Sequence, residues 1–233
     1  MADWIKEATT YVQRELASQA NPEKASGMQG YMKTDMPFYG VQKPGRVPIV
    51  RHVVKNYSLL NRTDYEKLVL ALWRLPHREE KYVAQAVAVK YRQFMVPASL
   101  PLYRRFVVEG AWWDFVDEAS THMIRELVLG YPTKIWPKID PWISNKNMWL
   151  RRSSIICQVG AKEHTDAERL FSFCEQRAFE KEFFIRKAIG WALREYAKTD
   201  GEAVAAFVTE YREDLSGLSY REATKHIGQL VDQ

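Results

Sequence analysis

The sequence is short of the features that carry the commonest catalytic chemistries. Only two of its 233 residues are cysteine, Cys157 and Cys174. Their separation fits neither a metal-ligand pair nor a disulfide framework, so they read as buried thiols in a reducing compartment. The five histidines, His52, His77, His122, His164 and His226, are scattered, without an HExxH or a close Cys/His cluster. No metal is therefore expected. A phosphate-binding P-loop, a GxGxxG and a nucleophile-elbow serine are all missing, which sets aside the common nucleotide-binding and serine-hydrolase machineries. The first residues, Met1-Ala2-Asp3-Trp4-Ile5-Lys6, lack the basic and apolar regions of a secretion signal. No apolar run approaches the length of a transmembrane helix. The expectation is an intracellular, cytoplasmic protein with no membrane partner. Strand alternation is absent too, as is any low-complexity linker.

What is present is helical period and charge. Hydrophobic residues make up 46% of the chain and the mean hydropathy is −0.40, as in an ordinary globular protein. The net charge of +5 and pI near 9.1 permit a polyanionic partner without requiring one. Helices are expected at about 3–19, after Asn21-Pro22-Glu23, and at 46–59, 63–74, 78–94, 99–108 and 111–129. A short helix follows Tyr131-Pro132, and others are expected at 146–158, 165–177, 181–198, 201–213 and 219–230. Asn21 followed by proline is a helix start. Connections are short and no domain boundary is visible, so residues 1–233 read as one domain.

The second half repeats. Arg151, Arg186 and Arg221 are each 35 residues apart, since 186 − 151 = 35 and 221 − 186 = 35. Around them Met148-Trp149-Leu150-Arg151-Arg152-Ser153 matches Phe183-Phe184-Ile185-Arg186-Lys187-Ala188, and Ser219-Tyr220-Arg221-Glu222-Ala223 echoes both. Counting back from Arg152, 152 − 35 = 117, so Asp117, Arg152, Lys187 and Glu222 share one slot. A helix-pair unit recurring at this period predicts an all-α fold, an α-solenoid. Equivalent slots on its successive inner helices would line one concave, cationic groove.

Two stretches stand out on that surface. In Ala111-Trp112-Trp113-Asp114-Phe115-Val116-Asp117-Glu118-Ala119, the residues Trp112, Val116, Ala119 and Met123 form an apolar stripe at helical spacing. Trp113 and Asp117, also four apart, share a neighbouring face roughly 100° round. In the helix at 181–198, Ile185, Ile189, Ala192 and Tyr196 make the core stripe, while Lys187, Trp191, Arg194 and Lys198 repeat the spacing on the other side. Cations interleaved with an indole suit a nucleic-acid backbone. The plainer readings stand beside this one. A cationic helix face is ordinarily solvated, and Asp117 is as well placed to be an ion-pair partner for Arg152 of the next repeat.

Several of these segments resemble one family. Tyr31-Met32-Lys33, Phe38-Tyr39-Gly40-Val41-Gln42, Trp112-Trp113-Asp114-Phe115-Val116-Asp117, Asn147-Met148-Trp149-Leu150-Arg151-Arg152, the run Lys181–Trp191 and Leu218-Ser219-Tyr220-Arg221-Glu222-Ala223 resemble the AlkD-like DNA glycosylases. The resemblance implies HEAT-like helix pairs that grip duplex DNA and excise cationic N3- and N7-alkylated purines, with no metal or organic cofactor. It implies Asp117 as the catalytic carboxylate, with Trp113 and Trp191 flanking it. Arg152 matches a phosphate- and site-contacting arginine, and Tyr31 and Gln42 match positions that approach the lesion. Lys43, Arg151, Lys187 and Arg194 join these as expected DNA contacts, on a monomer. Two other readings stay open: a non-catalytic helical-repeat binder of distorted DNA or RNA, and a protein–protein scaffold.

Overall fold

The computed structural model describes residues 3–57, 59 and 61–231, and among these no strand occurs. The fold is all-α, of the solenoid class, and the chain packs as two compact units, Met1–Met95 and Val96–Gln233. The sequence carries no linker at that division. It falls in the short connection Met95-Val96-Pro97, after a 3-10 turn at Arg92–Phe94.

The first unit contains α1 (Asp3–Ser18), α2 (Pro22–Met32), α3 (Lys43–Asn56), α4 (Arg62–Trp73) and α5 (Arg78–Lys90). Local chemistry sets their starts. Asn21 caps α2 by accepting from the Lys24 amide at 2.9 Å, with Pro22 first in the helix. Asn61 does the same for α4 through the Asp64 amide. α3 begins three residues earlier than the pattern suggests. Pro44 fits its first turn, where a missing N–H costs nothing. Of the expected end of that helix, Ser58 lies outside the described residues. The core of this unit is Val12, Leu16, Val53, Tyr65, Leu68, Leu72, Val83 and Val87, all fully buried.

The second unit holds α6 (Leu100–Gly110), α7 (Trp113–Glu118), α8 (Arg125–Gly130), α9 (Pro132–Ile139), α10 (Met148–Ile156), α11 (Ala167–Arg177), α12 (Phe183–Tyr196), α13 (Gly201–Glu210), α14 (Gly217–Ala223) and α15 (Gly228–Val231). α7, α10, α12 and α14 start at 113, 148, 183 and 217, and each packs against the next. This is the 35-residue period made physical. α6, α11 and α13 pack on α7, α12 and α14 as their outer partners. The expected helix at 219–230 is instead two pieces, α14 and α15.

The expected helix start at Ala111 is corrected. Ala111 takes a left-handed conformation (φ 41°) and Trp112 is extended, so α7 begins at Trp113. The reason is a two-residue turn tight enough to press Phe115 onto Gly110, where an added Cβ would lie 2.8 Å from the Phe115 Cβ. Val116, Ala119 and Met123 of the expected stripe are buried, whereas Trp112 swings out of it. From Ala119 to Ile124 the helix widens to π geometry before continuing as α8. No described helix is long and apolar enough to cross a membrane.

Candidate active site

Asp117 lies on the last turn of α7 before the π segment. Two hydroxyls add to the backbone bonding where the helix widens: Ser120 Oγ donates to the Val116 carbonyl at 2.6 Å, and Thr121 Oγ1 to the Asp117 carbonyl at 2.8 Å. Ser120 Oγ and Ser153 Oγ on α10 are also hydrogen-bonded, 2.8 Å apart. The backbone at Asp117 is thereby tied to the helix that carries Arg152.

Arg152 meets Asp117 side-on. Its Nε and terminal nitrogen donate to the two carboxylate oxygens, each at 2.8 Å. The other terminal nitrogen donates to the Phe184 carbonyl at 2.6 Å, in the first turn of α12. Arg152 is only 4% exposed and Asp117 19%, so one buried guanidinium joins α7, α10 and α12. Such fork-to-fork pairing fixes orientation as well as charge. Each carboxylate oxygen has a second acceptor direction to offer a further group. Burial raises the Asp117 pKa above the ordinary carboxylate value, opposed by the hydrogen bonds and charge of Arg152 and abetted by Asp114. Next to this pair, at the starts of the same three helices, Trp112, Trp149 and Phe184 cluster with ring centroids 5.0–6.0 Å apart. Trp112 therefore serves the junction of three helices rather than the α7 stripe.

Trp113 opens α7 one turn before Asp117 and is half-buried, as is Trp191 in the middle of α12. Neither sits in the hydrophobic core. Lys187 and Arg194 are on α12, one turn to either side of Trp191, and both pair with Glu222 of α14. The Lys187 contact is 2.7 Å. Lys198 falls beyond the end of α12 and pairs with Glu195 at 2.6 Å. Arg151 faces a different task. Its guanidinium holds Glu180 and the carbonyls of Asn145 and Lys146, at 2.5–3.1 Å, and fastens the turns that precede α10 and α12.

The remaining expected residues belong to the first unit. Tyr31, near the end of α2, is 72% exposed. Gln42 stands at the N-terminal boundary of α3 without a side-chain capping bond and Lys43 is the helix's first residue, both exposed. The loop bearing them is held by a residue that sequence reasoning missed. Glu79, fully buried in the first turn of α5, accepts the amides of Tyr39, Gly40 and Val41 at 3.1, 2.8 and 3.0 Å. Gly40 is needed there: its φ is +84°, and a Cβ would lie 2.2 Å from the Asn21 carbonyl. Next to Glu79, Glu80 accepts the Tyr39 hydroxyl at 3.0 Å. Glu222, Glu180 and Glu79 are thus the unforeseen members. Glu222 alone had a signal, the 35-residue slot. No group of three or more metal-binding side chains occurs among the described residues.

Repeated helix pairs stacked at a fixed period define this chain as an α-solenoid of HEAT-like pairs. Its particular family is shown by sequence: the chain belongs to the DNA alkylation repair enzymes, whose family model matches residues 12–227. A solved structure described as a predicted DNA alkylation repair enzyme from Enterococcus faecalis is 29% identical, covering 90% of this chain and 97% of its own, with a TM-score of 0.83. A search of curated protein sequences gives no match. Membership carries an enzymatic role in repair of alkylated DNA, and DNA as the partner.

Proposed function

We propose that the protein is a monofunctional DNA glycosylase that hydrolyses the N-glycosidic bond of cationic N3- and N7-alkylated purines in duplex DNA, acting as a monomer without a cofactor. The observation that carries this reading is Asp117, a largely buried carboxylate fixed on two hydrogen bonds from Arg152. A positively charged purine leaves as a neutral base, so it needs no general acid. Positive charge develops on the deoxyribose instead, as in other glycoside hydrolyses. One carboxylate near the anomeric carbon stabilises that charge and positions a water on the face opposite the departing base. Little water competes for Asp117, which strengthens its interaction with a developing cation.

Trp113 and Trp191 are assigned to pack on the sugar, and Arg152 to hold the adjacent phosphate while orienting Asp117. Lys187 and Arg194 are assigned to the DNA backbone on α12. Tyr31, Gln42 and Lys43, in the first unit, are assigned to DNA contacts as well. Arg151, engaged with Glu180, is assigned an indirect part: it holds the turns from which α10 and α12 start.

The test is single-turnover release of N7-methylguanine from a lesion-containing duplex. Asp117→Asn is expected to slow release by roughly 10²-fold or more while duplex binding persists. One observation favours a second reading. Asp117 and Arg152 neutralise each other, as a structural pair would, and a non-catalytic binder of distorted DNA needs nothing more. No release above the spontaneous rate by the unmodified protein, with salt-sensitive binding intact, would decide for the binder.

A further inference from the structure

The slot shared by Asp117, Arg152, Lys187 and Glu222 carries the signs minus, plus, plus, minus. Asp117 pairs with the single cation Arg152 across the α7/α10 junction. Glu222 does something different, because it meets two cations: Lys187 at 2.7 Å, and Arg194 one full heptad further along α12. α14 also approaches α12 closely here. Gly190 supplies it. The glycine lies between the two cations in sequence, and a Cβ there would come within 2.5 Å of the Glu222 Cβ and 3.0 Å of the Ser219 carbonyl. Ser219 Oγ further ties the two helices by donating to the Arg186 carbonyl at 3.0 Å. The Lys187 side chain is 40% exposed, Arg194 23% and Glu222 20%, so the triad keeps contact with solvent.

A part-exposed triad of this kind contributes modestly to stability, and it sits where α14 approaches α12 closely. Its net charge is +1, where two unpaired cations would present +2. From this we infer that Glu222 limits affinity: its carboxylate stands against Lys187 and Arg194 as a DNA phosphate would, and holds down binding to undamaged duplex. This rests on the reading that the cationic face of α12 meets the DNA backbone. Phosphate neutralisation carries no sequence information and supplies nearly all of non-specific binding. A repair enzyme that must leave undamaged DNA to find a lesion gains from restraint in that component. The Lys187 hydrogen bond, together with the two positive charges, lowers the Glu222 pKa, so the carboxylate is ionised throughout the neutral range.

The experiment is the salt dependence of binding to an undamaged duplex. Glu222→Gln keeps the shape and releases one positive charge, so the log–log slope steepens by roughly 0.9 and affinity at low salt rises. Lys187→Gln added to that variant restores the original net charge and returns the slope to that of the unmodified protein. Glu213→Gln, an exposed carboxylate elsewhere in the second unit, controls for overall charge and leaves the slope unchanged. A Glu222→Gln slope equal to or shallower than the original, or matched by Glu213→Gln, overturns the inference; Glu222 then merely positions the two cations. If the unmodified protein itself shows no salt-dependent duplex binding, the nucleic-acid reading of α12 fails, a separate result.

Discussion

At the scale of single residues, the proposed chemistry and its pH limit rest on the Asp117–Arg152 pair. In the proposed mechanism Asp117 must be ionised to stabilise a cationic sugar, and burial raises its pKa while Arg152 opposes the rise. The acid limb of the single-turnover rate is therefore expected above the range of an ordinary carboxylate. In stability the sign is opposite to that of a typical salt-bridged aspartate. A raised native pKa means the folded state holds its proton longer, so this contribution is full at low pH and lost as pH rises through the native value. Arg152→Gln removes the opposing group. It is expected to move the acid limb further up, and to cost about 3–5 kcal/mol of stability, the usual result of leaving one partner of a buried pair alone. A pH–rate profile of the variant with an unmoved acid limb would show that Arg152 does not tune Asp117. Comparing the rate constants at the alkaline plateau separates this tuning from a plain loss of fold.

At the scale of elements, close helix approach decides more than helix propensity. Gly190→Ala puts a methyl against the Ser219 carbonyl, a backbone atom that cannot rotate away. Overpacking of this kind costs about 1–3 kcal/mol, a fall in Tm of roughly 3–10 °C for a chain of this size. A methyl at Gly27 in α2 would meet nothing within 4 Å, so Gly27→Ala should instead stabilise by about 0.5–1 kcal/mol. Thermal unfolding of both variants checks the contrast; equal shifts would refute it. The same distinction explains what was legible in the sequence. Helices, their buried stripes and the repeat period follow from local spacing, and Asp117 with Arg152 follows from the period. Trp112 does not, because the left-handed turn at Ala111 is imposed by Phe115 packing on Gly110. The π segment at Ala119–Ile124 is likewise invisible locally, since its hydroxyl partners include Ser153 on another helix. Glu79 is about 40 residues from the amides it accepts, a distance no periodicity spans.

At the scale of the whole molecule, the expected DNA contacts are divided between two units. Tyr31, Gln42 and Lys43 belong to Met1–Met95, and Asp117, Arg152, Lys187, Trp191 and Arg194 to Val96–Gln233. A net charge of +5 is compatible with one unit or both touching a single duplex. Salt dependence separates the two cases, because each phosphate neutralised contributes about 0.9 to the log–log slope. Lys43→Gln removes a cation at the start of α3, and Lys187→Gln lowers the α12 triad from +1 to neutral. Each is expected to flatten the slope by about 0.9, and the double variant by about 1.8, the sum for independent contacts made at the same time. If the units bound DNA only as alternatives, losing both contacts would flatten the slope no more than losing the stronger one. A Lys43→Gln slope equal to that of the unmodified protein would remove α3 from the interface, and with it the assignment of the neighbouring Gln42. The fastened loop at Tyr39–Val41 would then serve folding alone, its three amides on Glu79 a structural anchor for the start of α3.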